Sequence, residues 1–139
     1  MVNAASPAYL AAYGKPRRLQ DLARHRLVHY VNVLGSKPAG WEYHDGQRWR
    51  SIEMAGVLTV NSVDAYQAGC LAGLGLIQAP LLGLKPLLET GQLVEVLPRY
   101  RAEPMPLSLV YPHRRQLPRR VRVFMDWLAE IVAPHLESA

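Results

Sequence analysis

Gly56-Val57-Leu58-Thr59-Val60-Asn61-Ser62-Val63-Asp64 reads as a strand that runs directly into a helix. Its first five residues are apolar or β-branched apart from the opening glycine, as a half-buried strand requires. Ser62 is a residue type that caps helices, and Asp64 then falls in the first turn, where a carboxylate meets the positive end of the helix dipole. The helix is predicted from Val63 to about Leu74. Ala65, Ala68, Gly69, Ala72 and Gly73 make it a poor intrinsic helix but let it lie close against a sheet. Beyond it, Gly75-Leu76-Ile77-Gln78-Ala79-Pro80 reads as a buried strand stopped by a proline. Strands joined by helices predict an α/β domain with a mixed or parallel sheet.

Working downstream, Leu81 to Thr90 is predicted as a short helix ended by Gly91, and Leu93 to Leu97 as a strand. Leu107-Ser108-Leu109-Val110-Tyr111 is predicted as a further strand stopped by Pro112. Pro118 suits the first position of a last helix, in which Val121, Phe124, Met125, Leu128, Ile131 and Val132 recur at the spacing of one buried face. Pro134 should end or kink it. Upstream, Arg26 to Tyr30 is a strand candidate. Trp41-Glu42-Tyr43-His44 and Trp49 to Met54 flank Asp45-Gly46 as a β-hairpin, with Glu42, Asp45 and Glu53 on its exposed surface.

The composition allows one domain with a sizeable core: 139 residues, half of them hydrophobic and 19% charged. No apolar run approaches the ~20 residues of a membrane span, and the first residues lack the basic and apolar regions of a secretion signal, so a cytoplasmic location is expected. Cys70 is the single cysteine, which leaves no internal disulfide or cysteine-rich zinc site, and it reads as a small buried hydrophobe rather than a nucleophile. The net charge is +5 and the pI about 9.7. Arginines are scattered through the first half, at 17, 18, 24, 26, 48 and 50, then gather at 99, 101, 114, 115, 119, 120 and 122. Without interleaved aromatic residues, these positions read as a solvated or subunit-facing surface rather than a nucleic-acid site.

Two strand-to-helix junctions are candidate ligand positions, because ligands on such sheets gather beyond the carboxyl ends of strands. At Asn61-Ser62-Val63 the free N–H groups of a helix start favour an anion such as a carboxylate, though Ser62 equally serves as a plain cap. At Gln78-Ala79-Pro80 a polar side chain either points into a cleft or satisfies buried backbone. Catalytic groupings are lacking. The five histidines form no metal-binding helix pair, no serine sits in a Gly-x-Ser-x-Gly elbow, and Gly69 to Gly75 is neither a dinucleotide fingerprint nor a phosphate loop. No enzyme, metal or cofactor is expected.

Six stretches together carry a family resemblance: Ala5-Ser6-Pro7-Ala8-Tyr9-Leu10 with Gly14-Lys15-Pro16, Asp21-Leu22 and His25-Arg26; Gly40-Trp41-Glu42-Tyr43; Gly56 to Ser62; Ala72-Gly73-Leu74-Gly75-Leu76-Ile77 with Pro80; Gly91-Gln92-Leu93-Val94-Glu95-Val96-Leu97; and Leu109-Val110-Tyr111-Pro112 before Val121 to Leu128. In this order the chain resembles the effector-binding domain of LysR-type transcriptional regulators. The resemblance implies a periplasmic-binding-protein-like fold, in which two α/β subdomains enclose a small effector and an amino-terminal winged helix-turn-helix binds DNA. Residues about 6–105 would form a complete second subdomain, and about 106–139 the returning strand and helix of a partial first subdomain. The DNA-binding domain and the leading units of the first subdomain are expected to lie outside this chain, which would reach DNA only through them.

Carried over residue by residue, the family pattern places Asn61, Ser62, Val63, Gln78, Ala79 and Pro80 against the effector, expected to be a carboxylate or aromatic acid. The expected partners are that effector and further copies of the chain in a homo-oligomer, with no membrane. The alternative is a stand-alone oligomerisation domain without ligand or DNA binding, motivated by the apolar face of the last helix.

Overall fold

The computed structural model describes residues 1–110 and 118–136, which fall into two compact units, Met1–Glu103 and Pro104–Ala139. In the first, β1 (Val2–Ala5) leads into α1 (Pro7–Tyr13) and a short 3-10 helix (Leu19–Arg24). Then come β2 (Val28–Tyr30), a hairpin of β3 (Trp41–His44) and β4 (Trp49–Ile52), β5 (Leu58–Val60), α2 (Val63–Leu71), β6 (Ile77–Ala79), α3 (Leu81–Glu89) and β7 (Val94–Glu95).

β1 lies between β6 and β7 and runs antiparallel to both, while β2 and β5 pair in parallel. A parallel bridge between Leu27 and Leu76, with Val28 N–H bonded to the Leu76 carbonyl at 3.0 Å, joins the two groups into the order β5-β2-β6-β1-β7. Both faces of this mixed sheet are covered, so alternate residues enter different cores. Val28 and Ile77 pack with Tyr66 and Cys70 of α2 and Leu84 of α3. Leu27 and Leu76 pack with Tyr9, Leu22 and Trp41 on the opposite face. α2 approaches closely because position 69 is glycine: a Cβ there would meet Leu58 Cδ2 at 2.9 Å and Val28 Cγ1 at 3.3 Å.

Several expectations need correction. β1 and α1 were not expected as elements, although Ser6 followed by Pro7 is a helix-start signature and the Ser6 hydroxyl accepts the Tyr9 N–H at 3.3 Å. Ser62 occupies the predicted N-cap position of α2, but its hydroxyl is exposed to water and accepts no backbone N–H. α2 ends at Leu71, short of Leu74, because Gly73 turns the chain at φ +77°.

Residues 107–110 form no strand, since none of them pairs with another backbone segment in the described residues. Strand geometry persists only where a neighbour completes the hydrogen-bond ladder. Tyr111 and Pro112 lie outside the described residues. In the second unit, α4 (Arg119–Val132) starts after Pro118 rather than on it, and Ala133–His135 continues as a 3-10 turn around Pro134. The expected buried face of α4 is half-buried at Val121, Met125, Leu128 and Val132 but exposed at Phe124 and Ile131, and no residue of the helix is fully buried.

Candidate functional site

Because β5, β2 and β6 are parallel, their carboxyl ends share one edge of the first unit. Both predicted junctions open there, but they are not neighbours. β2 separates β5 from β6, so roughly two strand spacings, about 10 Å, lie between Val60 and Ala79. Asn61, Ser62, Val63 and Pro80 are exposed, Ala79 is buried, and Gln78 is half-buried.

A concavity of about 130 Å³ lies at this edge, lined by His29 and Tyr30 of β2, Glu42 of β3, Tyr66 of α2 and Gln78 of β6, among others. Met1 and Ala102 also line it, so both ends of the unit come to the same edge. Of the six predicted residues, the structure brings only Gln78 into the concavity; Asn61, Ser62, Val63, Ala79 and Pro80 do not line it. His29, Tyr30, Glu42 and Tyr66 were not anticipated. Tyr30 and His29 end a strand recognised from the sequence, and the same carboxyl-end rule applied to that strand would have found them.

Hydrogen bonds fix the walls. The Gln78 carboxamide pairs with the Glu42 backbone much as a strand would, accepting from Glu42 N–H at 2.7 Å and donating to its carbonyl at 2.9 Å. Its second N–H donates to Asn3 Oδ1 at 2.9 Å. Asn3, fully buried, donates to the carbonyls of Leu97 and Tyr100, each at 2.9 Å. One polar chain thus ties the hairpin, β6, β1 and the 97–100 turn together. Within that turn Leu97 adopts φ +47°, a conformation side chains rarely take.

On the other wall the Tyr66 hydroxyl accepts the Gln78 N–H at 3.1 Å and donates to the Gln78 carbonyl at 3.3 Å. Burial pushes this phenol up to about 12, so it stays neutral across the physiological range. Tyr30 stands edge-on to Tyr66 with ring centroids 5.6 Å apart. His29 Nδ1 is buried at the site with no hydrogen-bond partner among the described residues. Cys70, below α2, has its thiol pushed up to about 12 by burial and donates to the Ala4 carbonyl, which fits the inert reading of this residue.

The arrangement offers neutral aromatic surface, a few fixed polar atoms and a helix start whose N–H groups receive no side-chain acceptor from Ser62. Such a lining has the character of a small-molecule site. Among the described residues that line it, no nucleophile is paired with a base.

The LysR substrate binding domain matches residues 1–133, and the chain belongs to that family. Its sequence is 48% identical over 139 residues to the Escherichia coli K12 HTH-type transcriptional regulator YhjC, itself uncharacterized, covering 99% of this chain and 46% of that protein. It is 33% identical over 126 residues to the E. coli K12 HTH-type transcriptional activator TtdR, covering 90% and 40%. The chain therefore spans less than half the length of these relatives.

Among solved structures it resembles full-length AphB, a Vibrio cholerae virulence activator of the same regulator family, at 26% identity and TM-score 0.74 over 97% of this chain and 44% of AphB. It also resembles the regulatory domain of CrgA from Neisseria meningitidis, at 25% identity and TM-score 0.72 over 93% and 63%. The fold is thus the periplasmic-binding-protein-like fold of LysR regulatory domains, and the relatives are named as transcriptional regulators rather than enzymes. No helix among the described residues is long and apolar enough to cross a membrane.

Proposed function

We propose that this chain is the ligand-sensing part of a DNA-binding transcriptional regulator and that its effector is a small carboxylate or aromatic acid. The carrying observation is the convergence of three parallel strand ends on one edge, where α2 begins without a side-chain cap and Tyr30 and Tyr66 supply aromatic surface. Asn61, Ser62 and Val63 would meet the carboxylate, while Gln78, Ala79 and Pro80 would frame the opposite side of the opening.

In this reading the effector binds one arrangement of an oligomeric regulator more tightly than another, and that difference in affinity shifts the regulator between states on DNA. DNA is reached through a helix-turn-helix domain, as the names of the relatives suggest. The test is Ser62→Ala in a regulator that includes this segment, titrated by calorimetry with a panel of small aliphatic and aromatic carboxylates. A hydrogen bond to a charged group contributes about 1.5–3 kcal/mol, so roughly ten-fold weaker binding with unchanged effector-free DNA affinity is expected. Equal carboxylate affinity in the variant would refute the assignment of Ser62.

The exposed Phe124, Trp127 and Ile131 of α4 favour a second reading, a self-associating domain without ligand. Sedimentation over a range of concentrations distinguishes it: a monomer throughout would eliminate that reading.

A further inference from the structure

Six cationic side chains stand between Met1 and Gly40 against one carboxylate, Asp21. Five of them, Lys15, Arg17, Arg18, Arg24 and Arg26, fall within twelve residues that the fold compacts into the end of α1, the 3-10 helix and the approach to β2. All five are exposed. Asp21 does not neutralise them through an ion pair: its Oδ2 accepts the backbone N–H groups of Arg17 at 2.8 Å and Arg18 at 3.0 Å. Some cations find acidic partners, as in Lys37–Glu53, Arg50–Asp45, Lys85–Glu89 and Arg101–Glu95, and others such as Arg48 and Arg99 stand singly, whereas these five lie together within twelve residues and none forms an ion pair among the described residues.

The patch is also held in shape. Tyr13 stacks on the buried Tyr9 with centroids 4.7 Å apart, and the Arg26 guanidinium lies 5.4 Å from the Tyr13 ring centre. The Arg26 N–H donates to the Tyr9 hydroxyl at 2.8 Å. Arg26 precedes β2, so the patch lies toward the amino end of the parallel strands, opposite the edge that carries the concavity.

We infer that this surface contacts the phosphate backbone of duplex DNA. Four of the five cations are arginines, whose planar forks grip phosphate oxygens at two points. A protein partner would call for an apolar centre ringed by polar groups. Between Pro7 and Arg26 the exposed large hydrophobic side chain is Tyr13 alone, and it is already stacked. Repeated unpaired cations without an apolar centre suit a polyanion read by charge and not by base sequence. Such a contact would add to the one expected through a helix-turn-helix domain, on grounds independent of the proposed effector site.

The test measures binding of the full chain to a fluorescent duplex of arbitrary sequence across a salt series. Each phosphate neutralised contributes about 0.9 to the slope of log affinity against log salt. Arg17→Ala/Arg24→Ala should therefore lower the slope by about 1.8 and weaken low-salt binding more than ten-fold. Arg48→Ala/Arg99→Ala, which removes the same charge at two other exposed arginines, should leave the slope unchanged. Equal losses in both double variants, or no DNA binding at low salt, would overturn the inference. So would displacement of the duplex by polyglutamate at matched charge, which would point to an acidic protein instead.

Discussion

Replacing Asn3 by alanine removes the centre of the polar chain behind the concavity. Asn3 is fully buried and makes three hydrogen bonds, two donated to the Leu97 and Tyr100 carbonyls and one accepted from Gln78. Each such bond contributes about 1 kcal/mol net, and a buried carbonyl left without a donor costs about 1–3 kcal/mol. Gln78 keeps its bonds to Glu42 and the Leu97 carbonyl keeps the Tyr100 N–H at 2.9 Å, so the Tyr100 carbonyl is the one left without its donor, for a total loss of about 2–4 kcal/mol. For a unit of this size that lowers Tm by roughly 10–20 °C.

The assay is urea unfolding followed by tryptophan fluorescence. Trp41 is fully buried, whereas Trp49 and Trp127 are already exposed in the folded chain, so Trp41 supplies most of the change. A shift in the midpoint at unchanged slope would give the loss directly. A loss below about 1 kcal/mol would show instead that the Tyr100 carbonyl does not depend on Asn3.

Gly75→Ala should destabilise by about 2 kcal/mol or more, measured the same way. Its Cβ would lie 2.8 Å from the Arg26 carbonyl oxygen and 2.9 Å from Val28 N, backbone atoms fixed in the bridge to β2, whereas Gly91→Ala, with nothing within 4 Å, should cost only about 1 kcal/mol for its positive φ. His25 is buried against the Tyr9 hydroxyl at 3.1 Å, and burial lowers its pKa against a smaller opposing pull from Asp21. The unfolded chain therefore takes up a proton first, and stability should fall as pH drops below about 6.5 toward the folded value. Urea midpoints between about pH 7.5 and pH 5.5 should fall less steeply in His25→Gln than in the parent chain, and parallel profiles would contradict this.

The elements built on strong local patterns were legible: the β3–β4 hairpin around Asp45-Gly46, α2 after Val60, and α3 before Gly91. β1 was not, because Val2-Asn3-Ala4-Ala5 carries a single β-branched residue and becomes a strand by pairing on both sides with β6 and β7. Residues 107–110 show the converse, a β-like sequence that finds no strand partner. Strand order was equally hidden. Nothing in chain order says that β2 intervenes between β5 and β6, and this insertion separates the two junctions and brings Tyr30 and His29 to the concavity. Gln78 was open between two roles. It lines the concavity while its carboxamide is engaged by Glu42 and Asn3, a pairing across residues 36 and 75 positions apart that no local pattern encodes. The first-half arginines looked scattered because their numbering gives no hint of which ones find a carboxylate.

We propose that small carboxylates bind at the shared carboxyl edge of β5, β2 and β6. The most direct measurement is an NMR titration of the isotopically labelled chain with benzoate, acetate and related carboxylates, following every backbone amide. The largest shifts should fall on the amides of Ser62, Val63 and Asp64, with smaller ones at Tyr30, Gln78 and Ala79. Shifts confined to the Lys15–Arg26 segment, or absent from the start of α2 for every carboxylate tried, would contradict it.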